Sequence, residues 1–158
     1  MSAIDGAARH RAREAAVQML YQSEVGRASA HEAVRTYWPG RDAPPSEEDE
    51  HADAVPDAAV DEEGRTFANA LVAGTIARAP ELDELIASHL KNWRIERTAI
   101  IDRLILRLAI YELLTETATP AKVIINEALE LARTFSGEEP VPFINGVLDA
   151  VRKTLGRE

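Results

Sequence analysis

No cysteine occurs among the 158 residues. That excludes a disulfide framework, a thiolate metal site and a cysteine nucleophile. The four histidines, His10, His31, His51 and His89, show no metal-ligand spacing. There is no glycine-rich phosphate loop, no Walker sequence and no GxSxG elbow. Glu127 and Glu130 stand three apart, yet no nucleophile or metal set accompanies them. The sequence therefore reads as a non-enzyme that needs no cofactor. No apolar run follows the N-terminus in the manner of a secretory signal, so a cytoplasmic location is expected.

What is present suits a folded domain. Hydrophobic residues make up 46% of the chain, and its length suggests a single domain over residues 1–158 with a real core. The formal net charge is −9, but its distribution is uneven. Pro39 to Glu63 holds ten acids against one base, Arg41, and the remainder is neutral. An acidic total therefore does not exclude a basic patch elsewhere. Pro39 to about Asp61 is rich in Pro, Ala, Asp and Glu and reads as a mobile acidic loop, either a tolerated insertion or a partner segment.

The organising stretch is Ile95 to Leu114, IERTAIIDRLILRLAIYELL, without Pro or Gly. At ~100° per residue, Glu96, Arg103 and Arg107 fall on one narrow stripe, and apolar residues cover most of the rest. Such a helix is central, packed on several sides. Its charges argue against a membrane span. Asp102 and Glu112 lie off the polar stripe, among apolar neighbours. Two readings stand: an internal ion pair or rim position, or a face that meets a partner protein.

Around this element the pattern predicts about seven helices and no strand, an all-α bundle. A first helix over Ala7–Glu24 turns Ala8, Ala12, Ala15, Ala16, Met19 and Leu20 inward and places His10, Glu14, Val17 and Tyr21 on the opposite face. Ser29-Ala30-His31-Glu32 is a capping box opening a short helix that ends by Trp38-Pro39. The third helix spans Asp61 to Arg78, with Gly74 marking a close crossing. Pro80 opens a fourth that runs to Trp93. The sixth, PAKVIINEALELARTF, and the seventh, FINGVLDAVRKTL, flank the loop Glu138–Pro142.

Arg9, Arg11 and Arg13 cluster at the start of the first helix, where the helix dipole disfavours cations, and Tyr21 faces outward on it. Guanidinium groups bind phosphate by paired hydrogen bonds, and an exposed ring offers a platform for an unstacked base. The alternative is a solvated basic helix start. Phe143 is either core or a second stacking surface.

Four blocks in order, RHRAREAAVQMLYQSE, RLILRLAIYELL, PAKVIINEALELARTF and PFINGVLDAV, resemble the NusB family of bacterial transcription antitermination factors over Arg9 to Leu155. The resemblance implies two packed helical sub-bundles. It implies binding of the boxA sequence of nascent ribosomal RNA, a heterodimer with NusE, a small-subunit ribosomal protein, and entry into the elongating RNA polymerase complex. It also leaves open a homodimer of the free chain. Carried over residue by residue, it implies RNA contacts at Arg9, His10, Arg11, Arg13, Tyr21, Lys122, Glu139 and Phe143, and partner contacts at Glu96, Asp102 and Glu112. His10 stands where a third consecutive Arg is common, and the acidic segment is longer than usual. Two rivals are an RNA-binding module like the N-terminal domain of ribosomal RNA cytosine methyltransferases and a helical adaptor without RNA. The chain reaches Glu158 without a cofactor-binding α/β domain, which favours a free-standing factor.

Overall fold

A computed structural model describes residues 6–42, 60–90 and 95–158. Among them are seven α-helices and no strand: α1 (Gly6–Gly26), α2 (Ala30–Asp42), α3 (Glu62–Ala77), α4 (Ala79–Ser88), α5 (Ile100–Thr115), α6 (Ala121–Phe135) and α7 (Val141–Thr154). α1, α2 and α3 pack on one another, and α4, α6 and α7 gather around α5. α5 also touches α1 and α3, so it joins the two sub-bundles into one hydrophobic cluster. Leu104, Ile105, Leu106, Leu108, Ile110 and Leu113 of α5 are buried, as expected of a helix apolar nearly all round.

Local signals set the helix boundaries. Ser29 Oγ accepts from the Glu32 amide at 3.1 Å, and Asp61 Oδ1 accepts from the Gly64 amide at 2.8 Å. Each satisfies an amide that the first helical turn leaves without a partner. Pro80 sits in the first turn of α4. α6 stops where Gly137 takes φ 118°, a backbone region that suits glycine. Gly74 lets α3 cross α5 closely: a Cβ there would lie 2.1 Å from the Tyr111 ring. The inward alanines of α1 are buried, as the spacing predicts.

Four expectations need correction. The central helix begins at Ile100, not Ile95; Ala99, at φ −54° and ψ 141°, interrupts the chain after a short 3-10 turn, Ile95–Arg97. Glu96 therefore belongs to that turn rather than to the stripe of Arg103 and Arg107. Pro39 does not end α2 but lies inside it, and the helix continues to Asp42. Val17, expected outward, is buried, because the arc that α1 buries is wider than its alanine stripe. The fourth helix also stops short of its expected end, at Ser88, and Trp93 as well as residues 43–59 of the expected acidic loop lie outside the described residues.

Candidate nucleic-acid interface

The three arginines of α1 do not share a face. At ~100° per residue, Arg9 and Arg13 stand about 40° apart, and Arg11 points about 160–200° away from both. Arg13 is buried, 2% exposed. Its Nε donates to both carboxylate oxygens of Glu112, at 3.0 and 2.9 Å, and its Nη2 donates to Oε1 at 2.8 Å. Glu112 is equally enclosed, 2% exposed. Burial pushes its carboxyl above the usual carboxylate range, and the Arg13 hydrogen bonds offset that only in part. Arg13 as a phosphate contact and Glu112 as a partner contact are thus both corrected: each is spent on the other inside the fold. For Glu112, the internal ion pair is the reading that holds.

Arg9 is half-buried. It donates from Nη1 to Thr119 Oγ1 at 3.1 Å, and its guanidinium lies 5.2 Å from the centre of the Phe67 ring. His10 sits between two carboxylates, Nδ1 at 2.6 Å from Glu127 Oε2 and Nε2 at 2.9 Å from Glu14 Oε1. Its ring is engaged within the molecule, which runs against a phosphate contact. Glu127, which no nucleophile or metal set accompanies in the sequence, is thereby part of the surface beside α1. Arg11 has no carboxylate partner among the described residues, and its Nε is shielded without a hydrogen-bond partner. Tyr21 is 45% exposed on the outward side of the same helix.

The other expected positions lie on the second sub-bundle. Lys122 is exposed in the first turn of α6, at a cleft of about 300 Å³ that it shares with Asn126, Asn145, Glu158 and the paired Asp149 and Arg152. Glu139 is exposed in the connection between α6 and α7. Phe143 is half-buried and lines another cleft of about 300 Å³ with Arg97, Thr98, Ala99 and Asp102. Asp102 is buried, 8% exposed, and its Oδ1 has no hydrogen-bond partner among the described residues. Asp102 and Phe143, read from sequence as belonging to different partners, thus meet in one cleft. Glu96 is exposed nearby in sequence on the 3-10 turn. Arg103 and Arg107, the polar stripe of α5, are taken by Glu24 and Asp83, which tie α5 to the end of α1 and to α4.

Among the described residues no group of His, Asp and Glu could hold a metal ion, and no helix is long and apolar enough to cross a membrane. The chemistry on offer is cationic and aromatic contact at α1 and an unsatisfied carboxylate at α5.

A family model described as the NusB family matches residues 10–153. The transcription antitermination protein NusB of Koribacter versatilis is 41% identical over 150 residues, covering 95% of this chain and 92% of that protein. Among solved structures, NusB of T. maritima is similar with a TM-score of 0.73 and 29% identity, over 97% of this chain and 93% of that one. A chain from a crystal structure of antitermination factors NusB and NusE in complex with double-stranded RNA shares the fold, with a TM-score of 0.75 and 21% identity, over 95% and 99%.

Proposed function

The chain belongs to the NusB family, and from that premise we propose that it is a transcription antitermination factor that binds boxA RNA of nascent ribosomal transcripts. It does so together with NusE and joins the elongating RNA polymerase complex in the cytoplasm. It acts as a single helical domain, by binding and without making or breaking covalent bonds.

The observation that carries this reading is the outward side of α1, which presents Arg11 without a carboxylate partner and Tyr21 with its ring exposed. Cationic side chains neutralise phosphates and release counterions, so affinity falls with salt. An exposed ring stacks on a splayed base for ~1–3 kcal/mol. Arg9, on the other side of that helix against Thr119 and Phe67, and Lys122, on α6, are further cationic positions apart from that face. Asp102 supplies the partner contact: a buried carboxylate oxygen without a hydrogen bond gains from a basic group brought to it.

The test is a polarisation titration with single-stranded boxA RNA and a scrambled control at several salt concentrations. The double variant Arg9→Ala/Arg11→Ala should bind more weakly and with a flatter salt dependence, at unchanged helicity. Equal affinity in variant and parent would refute the RNA reading and leave a helical adaptor.

A further inference from the structure

A cleft of about 450 Å³ opens on the outward side of α1, lined by Val17, Gln18, Tyr21 and Gln22, by Ile101 of α5 and by Phe135 of α6. Its make-up is distinctive. Val17, Ile101 and Phe135 give apolar walls, and the half-exposed Tyr21 ring stands at the edge. No charged residue lines it. Two carboxamides do. Gln18 is oriented by α2, since its Oε1 accepts from the Tyr37 hydroxyl. Gln22 is exposed and has no hydrogen-bond partner among the described residues.

We propose that this cleft receives one unstacked nucleobase of the bound single strand, with Tyr21 against its face and Gln22 reading its edge. The proposal rests on the RNA-binding reading and refines it. Three features favour a base over a protein side chain. First, Arg11, Gln18 and Gln22 stand at i, i+7 and i+11, so the cleft continues the side of α1 that carries the unpaired guanidinium. At 1.5 Å per residue the separation is roughly 10–16 Å, within reach of one short strand. Second, a flat heteroaromatic ring uses apolar walls and amide groups together, and amides donate to and accept from base edges. An aliphatic side chain entering the cleft would leave Gln22 desolvated and unpaired. Third, the absence of a lining carboxylate offers nothing to a basic partner side chain, in contrast to the cleft at Asp102.

The experiment uses the full chain and a boxA RNA series in which each nucleotide in turn is abasic. In the parent protein, one position should show a loss of affinity of about tenfold or more on removal of its base. In Gln22→Ala that penalty should shrink, and in Ile101→Trp, which fills the cleft, it should nearly vanish. Intact RNA should bind both variants more weakly with the salt slope unchanged, because no phosphate contact is touched. Circular dichroism checks that both are folded, and Gln22→Ala, at an exposed position, serves alone if Ile101→Trp is not. An abasic profile identical in the parent and in Gln22→Ala overturns the proposal. So does a variant that keeps the profile but loses NusE or changes its mass by light scattering, which would assign the cleft to a protein. If the parent instead shows no salt-dependent RNA binding that Arg11→Ala weakens, the RNA reading itself fails, and the cleft proposal falls with it.

Discussion

Asp102 and Glu112 stand ten residues apart on the same helix, both withdrawn from solvent, and their situations are opposite. Glu112 has a bidentate guanidinium on it from a residue 99 positions away. Asp102 has an oxygen that nothing among the described residues satisfies, at the wall of an open cleft. A buried charge is tolerated when it is paired and hydrogen-bonded, and costs free energy when it is not. The difference therefore separates a carboxylate that holds the fold together from one that no described residue compensates. In sequence the two looked alike.

The comparison can be broken in three places. The largest effect is expected at the closed pair. Glu112→Gln strips the charge opposite a buried Arg13 and should destabilise the fold by about 3–5 kcal/mol, measured by urea unfolding. Replacing both partners, Arg13→Met with Glu112→Leu, should recover most of that loss. A single variant that costs nothing would mean that Glu112 is not structural. An intermediate effect is expected at the open carboxylate, and on binding rather than folding. Asp102→Asn should leave the urea midpoint at or above that of the parent while weakening NusE association by about 1.5–3 kcal/mol, measured by calorimetry. A large drop in stability would make Asp102 a second Glu112. The smallest is at the surface. Arg11→Ala should change stability by no more than about 0.5 kcal/mol and reduce the salt slope of RNA binding by about one phosphate's share. If it destabilises as Arg13→Met does, the division of the arginine cluster is wrong.

Much of the scaffold could be read from spacing alone. The alanine stripe of α1, the cap at Ser29, Pro80 and the close crossing at Gly74 are local or periodic signals, and each has its counterpart in the fold. The interruption at Ala99 was not legible, because no Gly or Pro marks it and the apolar pattern runs straight through. The arginine cluster was misread for a different reason. Three cations in five residues look like one patch along the chain, but on a wheel Arg9 and Arg13 fall within the arc that holds Ala16 and Leu20, and Arg11 falls outside it. That signal was present in the sequence. The identity of Arg13's partner was not, since only the tertiary fold brings Glu112 to it. The cleft beside Tyr21 was equally hidden, because its walls come from three helices that only the tertiary fold brings together.

The Arg13–Glu112 bond also sets the order in which the molecule can be assembled during synthesis. The first helix, α1, is made early, but the carboxylate that locks it is added 99 residues later, a delay of roughly 5–20 s at the ribosome's pace. Through that interval α1 has only α2 and α3 to pack on, and the Arg13 guanidinium has the Phe67 ring beside it but not yet its carboxylate.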